Sequence, residues 1–342
     1  MTIDMHSHWR PPALIDALRA RTTPPLIETD ENGEEVLKSP RGVVPVSESF
    51  DDLDQRLVEM DKHGISTAVI SLFGPFQWIE RGPVEESLPL VQLYNDSTSE
   101  MCRAHPGRFA AYASLPLADM NAAATEFRRA MDLPGIIGAI LPGNAFMTYE
   151  DAKAYTPLLE VANEKRAIVF IHWNPRPGDA WPRIPRTMDN AILRLGTLDM
   201  QASLSAVMMT LCFTDILEPY PNAFFHVHNL GGNIPFEIER LDHRHYLDTP
   251  NEALPSSQLR KPNLYVDCNS FGARSIDAGV AVYGADRIVF GTDGTDFGSD
   301  WSLKAVAETH LGDAERDMIL HGNAARMMGH LTELAGQREA AE

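Results

Sequence analysis

Residues 2–9 read TIDMHSHW: a short apolar start at Thr2–Met5 runs directly into His6-Ser7-His8. Side chains two apart on a strand point to the same face, so both imidazoles can converge on one ion. An isolated histidine pair at this spacing often arises by chance. Its place at the C-terminal end of a candidate strand gives it weight, because barrel active sites gather at the C-terminal ends of the strands.

Seven more short apolar runs follow: Ser66–Phe73 (STAVISLF), Phe109–Ser114 (FAAYAS), Gly135–Leu141 (GIIGAIL), Ala167–Ile171 (AIVFI), Ala223–Val227 (AFFHV), Leu264–Asp267 (LYVD) and Arg287–Phe290 (RIVF). Helical stretches separate them, among them Phe50–His63 with apolar Leu53, Leu57 and Met60, then Asn121–Met131 and Asp151–Glu164. Strands alternating with helices imply βα units and a parallel sheet, and eight strands suggest closure into a (β/α)₈ TIM barrel. A doubly wound open sheet is the competing architecture. Residues 1–336 read as one domain, since barrels of this kind often exceed about 250 residues. Two segments look like additions: 22–46, rich in Pro, Glu and Gly and expected as an irregular loop or small hairpin, and 175–186 (PRPGDAWPRIPR). The second carries four prolines directly after the fifth strand, where it could cover the C-terminal face of the barrel. Residues 337–342 read as a frayed tail.

Composition narrows the partners. Acidic residues number 48 against 29 Lys and Arg, for a net charge of −19. Nucleic acid and anionic membrane both demand basic patches, so neither is expected. A carboxylate substrate would have to be drawn in by a metal and local arginines rather than by the overall field. The three cysteines, Cys102, Cys212 and Cys268, are widely spaced without a CxxC, which fits a reducing compartment. MTIDMHSHWR has no cationic lead into an apolar run, and no stretch approaches the roughly 20 apolar residues of a membrane span. The expected location is the cytoplasm.

Other candidate ligands end later strands. His172 follows AIVFI, His226 and His228 flank Val227 in FFHVHNLGG, and Asp293 follows RIVFGT. Three neutral imidazoles and a carboxylate form a ligand set that zinc prefers. Each residue alone reads more readily as a buried, satisfied polar group. Several strand ends carrying such groups together favour a metal site.

The motifs in combination resemble the amidohydrolase superfamily, specifically its branch that contains aminocarboxymuconate-semialdehyde decarboxylase and related aromatic-acid decarboxylases. The resemblance covers nearly the whole chain. IDMHSHW is similar to that branch's IDIHSH start, and Leu57–Asp61 with Lys62-His63-Gly64-Ile65 to its REMD..GV helix end. His105-Pro106-Gly107-Arg108-Phe109 with Leu115-Pro116, Phe170-Ile171-His172, His228–Gly232 with Pro235 and Arg240, Phe290–Asp293 and Gly322-Asn323-Ala324 continue it. The resemblance implies a TIM barrel of the metallo-dependent hydrolase type. It also implies that His6, His8, His172 and Asp293 hold one divalent metal ion, zinc first, with manganese or cobalt as alternatives. His228 would be an acid or base, with Asp293 sharing that work. His226 matches no family role and either supports the site from behind or belongs to the core. GIIGAIL offers no lysine to bridge two metals, so one ion is expected.

Departures from the branch bear on the substrate. The eighth-strand aspartate is followed by Gly294-Thr295-Asp296-Phe297 where the branch often has Tyr-Pro, and the turn after His228 is one residue longer. Ser47 aligns where aminocarboxymuconate-semialdehyde decarboxylase has a carboxylate-binding arginine. Arg10, Arg176, Arg183 and Arg186 are alternatives for that task, since arginine grips a carboxylate in bidentate fashion. Trp9, Phe73, Phe76, Trp78, Trp173, Trp181 and Phe297 could line an aromatic pocket or pack the barrel top. The leading expectation is decarboxylation of a small aromatic or conjugated carboxylic acid. Hydrolysis of an amide, ester, lactone or vinylogous C–C bond by metal-activated water is the rival, and a non-catalytic metal-binding scaffold the third reading. A homodimer is an open expectation from the family.

Overall fold

Period-two alternation sorts each predicted strand into two apolar faces. In the computed structural model, which describes residues 1–40, 42–46, 52–72, 74–182, 187–294 and 298–329, the strands run in chain order. They are β1 (Thr2–Trp9), β2 (Leu26–Thr29), β3 (Glu35–Ser39), β4 (Gly42–Pro45), β5 (Ile65–Leu72), β6 (Phe109–Ala113), β7 (Ile136–Pro142), β8 (Ile168–His172), β9 (Phe224–Val227), β10 (Leu264–Asp267) and β11 (Ile288–Val289). β1 and β5 to β11 form one parallel eight-stranded sheet in that order. Met5 N–H donates to Phe290 O at 2.9 Å and Asp293 N–H to His6 O at 2.8 Å, which brings the exit of β11 back against β1. The sheet is a barrel, not an open doubly wound sheet.

One face of the strands fills the barrel and the other packs on the helices. Ile3, Met5, Val69, Tyr112, Ile140, Phe170, Tyr265 and Val289 belong to the inner cluster. Ala68, Ile70, Ala111, Val169, Ile171, Phe225 and Val266 belong to the outer one, with Leu159, Leu204, Leu211 and Ile276 from the helices. The helices start where the sequence supplies caps. Asp52 accepts from Gln55 N–H at 3.0 Å to open Leu53–Lys62, and Asp119 accepts from Asn121 and Ala122 N–H to open Met120–Ala130. The helical stretch expected over Asp151–Glu164 is split into Tyr149–Lys153 and Thr156–Lys165. Pro157 fits only the first turn of a helix, so a new helix begins there.

Residues 22–46 carry one strand more than a hairpin. β2, β3 and β4 make a three-stranded antiparallel meander, and Ile27 and Leu37 bury against Leu14, Leu18, Phe76 and Tyr94. The proline-rich segment follows β8 as expected; its Arg183–Arg186 part lies outside the described residues, as do Phe73, Thr295–Phe297 and 337–342. No helix among the described residues is long and apolar enough to cross a membrane.

The decisive local feature is a bulge in β1. Asp4 pairs with Ala68 but Ser7 with Ile70, so β1 holds one extra residue between them. Strict alternation would put His6 on the side of Asp4. With the bulge, Ile3 and Met5 point into the barrel, and His6 and His8 do so too. Asp4 and Ser7 face outward toward the helix Leu53–Lys62, beside Arg56 and Met60.

Close strand packing makes one test. A Cβ on Gly138 of β7 would stand 1.8 Å from Ile168 O, a main-chain atom that cannot move aside. Gly138→Ala is expected to cost about 1–3 kcal/mol, read as a lower urea midpoint with an unchanged slope. A midpoint equal to that of the parent would contradict this strand spacing.

Candidate metal centre

The C-terminal ends of β1, β8, β9 and β10 and the residues after β11 bring the polar groups together. One ring nitrogen each from His6, His8 and His172 lies within 4.8 Å of the others. His6 Nε2 and His8 Nε2 are 3.3 Å apart, and Asp293 Oδ1 is 3.6 Å from the first and 3.0 Å from the second. His6 and His8 are fully buried.

The far side of each ring explains the near side. His8 Nδ1–H donates to Ser71 Oγ at 2.9 Å, and Ser71 passes a hydrogen bond to Ser7 O at 3.3 Å. His6 Nδ1 stands 3.0 Å from Asp267 Oδ2, a buried carboxylate that can only accept. With both Nδ1 atoms protonated, the two Nε2 lone pairs and the Asp293 oxygen face one another. Three electron-rich atoms this close repel unless a cation sits among them. The donor set fits a divalent metal: imidazole nitrogens and one carboxylate oxygen, buried at strand ends.

Charge is poised accordingly. Burial works against a charge on His6, but Asp293 and Asp267 outweigh it and raise its pKa. Burial likewise opposes ionisation of Asp293, yet His6 and His8 hold its carboxyl down at about 2. Burial, with His228, His6 and His8 close by, keeps His172 neutral, well below the usual imidazole range. His228 is pushed down to about 3, chiefly by burial and then by His6.

His228 stands apart from the converging atoms. Its ring stacks on His172 at 4.4 Å between centroids, and its Nε2 accepts the Trp173 backbone N–H at 2.9 Å. Its other nitrogen, Nδ1, is buried with no hydrogen-bond partner among the described residues. His226 lies a layer deeper, stacked on Phe170 at 4.4 Å, with its Nε2 2.9 Å from Asp267 Oδ2.

Backbone strain concentrates here. Of six non-glycine residues with positive φ among those described, Asn229, Leu230, Ser270 and Asp293 lie in the turns beside the site. The lengthened turn after His228 puts Leu230 at φ 52°, where Tyr283 O–H donates to its carbonyl at 3.0 Å. Asp293, at φ 54°, is held by its N–H on His6 O.

The remaining sequence candidates fall at different places. Arg10 is 2% exposed at the end of β1, its guanidinium 5.0 Å from the centre of the Phe76 ring. Trp173 is buried beside His172 and meets Trp181 of the proline-rich segment edge-on at 4.7 Å. Trp9 packs in the apolar core shared with the helices. Arg176 is tied to Asp151 and Asp179. Arg183 and Phe297 lie outside the described residues. Asp267 and Ser71 were not singled out from sequence. Asp267 ends its strand, LYVD, and that same position is what drew attention to His172.

Metal content gives the direct test. Protein stripped by a chelator and dialysed against Zn²⁺ should retain one equivalent per chain. His6→Ala combined with His8→Ala should retain less than about a tenth of that, since two of four ligands are gone. A full equivalent in the double variant would refute the ligand set.

Comparison with known proteins identifies relatives of the chain. The chain is 27% identical over 318 residues to gamma-resorcylate decarboxylase of Polaromonas sp. strain JS666, covering 86% of this chain and 94% of that protein. The fold matches the IDCase of Metarhizium anisopliae in apo form, with a TM-score of 0.79 and 24% identity over 97% of both chains. It also matches the dihydroxybenzoic acid decarboxylase of Polaromonas sp. JS666, solved with manganese and the inhibitor 2-nitroresorcinol, at a TM-score of 0.71 and 23% identity over 96% of both chains. The amidohydrolase family profile matches residues 3–329, nearly the whole length, and the chain belongs to the amidohydrolase family.

Proposed function

We propose that this protein is a metal-dependent decarboxylase acting on a small aromatic or conjugated carboxylic acid. The observation that carries the reading is His228: a buried imidazole beside the ligand cluster, with one nitrogen engaged by Trp173 N–H and the other without a hydrogen-bond partner among the described residues. Relatives that are decarboxylases support the reaction, and a structural neighbour was solved with an aromatic inhibitor. A divalent ion held by His6, His8, His172 and Asp293 would polarise substrate oxygens as a Lewis acid. Zinc is the ion the donor set favours. Manganese, present in the Polaromonas structure, is its rival, and elemental analysis of the protein as purified separates them.

The residues divide the work by their hydrogen bonds. Because His228 Nε2 accepts the Trp173 N–H, the neutral ring carries its proton on Nδ1 and offers it to a substrate oxygen. Asp293, ionised at rest, is the carboxylate at hand to take a proton from the substrate and return it to the carbon bearing the carboxyl group. A C–H bond forms there, the adjacent C–C bond breaks, CO₂ leaves, and the bonding pair restores conjugation. Trp173 and Trp181 supply flat apolar walls suited to a ring. Arg10, buried at the end of β1 beside His8, is our candidate for receiving the substrate carboxylate.

The metal-replete protein should release CO₂ from members of a panel of hydroxybenzoates and conjugated dienoic acids. His228→Ala should lower kcat by about 100-fold or more with its metal retained. If instead esters, lactones or amides are turned over and no acid loses CO₂, the chain is a hydrolase. A His228→Ala protein working at the parent rate would contradict the role given to His228.

A further inference from the structure

We infer that Asp267 is a positioning residue: it fixes the His6 ring in the orientation and tautomer that present Nε2 to the metal, with His226 and Tyr112 as its support. The inference rests on the metal site proposed above, but not on which reaction that site performs.

Asp267 ends β10 fully buried, and it is surrounded by donors alone. Oδ2 lies 3.0 Å from His6 Nδ1 and 2.9 Å from His226 Nε2. Oδ1 accepts the backbone N–H of Asn229 at 2.8 Å and of Asn269 at 3.2 Å. Four donors on two oxygens fill the carboxylate's lone pairs.

Those contacts settle the proton on each ring. A carboxylate only accepts, so His6 must carry hydrogen on Nδ1, which leaves the Nε2 lone pair facing His8 and Asp293. His226 must carry hydrogen on Nε2, and its Nδ1 then receives the Tyr112 O–H at 3.4 Å. The Asn269 amide also lies 3.3 Å from His6 Nδ1, but an NH₂ group can only donate, and it is directed to Asn229 Oδ1. The chain Tyr112–His226–Asp267–His6 therefore runs from β6 through β9 and β10 to β1, with Tyr112 and His226 donating toward Asp267 from one side and His6 from the other. Ser71 does the same for His8 with a neutral oxygen. Carboxylates behind metal-bound histidines fix the ring and raise its basicity, and their loss typically costs 10–100-fold in affinity.

Asparagine at 267 cannot serve either way. With its oxygen toward the histidines, its NH₂ meets two backbone N–H groups. With its NH₂ toward them, His6 must give up its Nδ1 proton and protonate Nε2, the metal-facing nitrogen. The shape is unchanged, so the effect separates proton direction from packing.

The first experiment measures Zn²⁺ affinity of chelator-stripped protein by competition, for the parent and for Asp267→Asn. The variant should bind about 10–100-fold more weakly, and Tyr112→Phe less than about threefold more weakly, being one bond further back. Equal affinity of parent and Asp267→Asn overturns the inference while leaving the metal site standing. No Zn²⁺ binding by the parent overturns the metal site and this inference with it. If Asp267→Asn does not fold, the parent decides the matter alone. Nitrogen-15 histidine spectra of the Zn²⁺-loaded parent should show His6 protonated at Nδ1 and His226 at Nε2, and a proton on His6 Nε2 overturns the inference.

Discussion

The extra residue between Asp4 and Ser7 of β1 is the constraint on which the site depends. It lets Met5 and His6 both point inward, so one short strand supplies the barrel with an apolar plug and then two imidazoles. A bulge leaves main-chain groups unpaired unless something else takes them. Asp4, turned outward, does so: it accepts from His6 N–H at 3.1 Å, from Thr292 N–H at 3.0 Å and from Thr292 Oγ1–H at 2.6 Å. The same carboxylate thus pins the bulge and the segment after β11, and that segment carries Asp293. Candidate ligands from opposite ends of the chain are thus brought together across the seam where the barrel closes.

Charge within the site is balanced in a way the protein's overall charge does not suggest. The chain carries a net charge of −19, yet among the described residues only two carboxylates, Asp267 and Asp293, contact the His6 ring, enough to match the one divalent ion proposed here. An anionic substrate would add a charge that nothing among those groups answers. A buried, uncompensated charge is costly, so a carboxylate substrate of the kind proposed would call for a local cation such as Arg10. The deeper layer of Phe170, Tyr112 and His226 keeps the base of the site dry, which strengthens the hydrogen bonds that orient the rings.

Much of this was legible in the sequence, because the strands obey simple rules. FAAYAS, AIVFI and LYVD became strands with ends within a residue or so of the expected ones, since apolar β-rich runs bounded by breakers have few other uses. His6, His8, His172 and Asp293 were readable as a group because each lies near the C-terminal end of a strand or just past it, and the barrel closure brings strand ends together. The bulge was not readable: TIDMHSHW alternates well enough either way, and only pairing with β5 reveals the added residue. Asp267 escaped notice because an aspartate closing a strand usually serves a turn; its part emerges only from the rings that meet it. The direction of each ring proton depends on partners far away in sequence, as with Ser71 behind His8 and Trp173 behind His228.

A crystal of Zn²⁺-loaded protein measured at the zinc absorption edge tests most directly whether a single ion is held across the barrel seam. The anomalous difference map should hold one strong peak per chain, about 2.0–2.2 Å from His6 Nε2, His8 Nε2, a ring nitrogen of His172 and a carboxylate oxygen of Asp293. Two peaks bridged by Asp293, or one peak bound by His228 in place of Asp293, would contradict it.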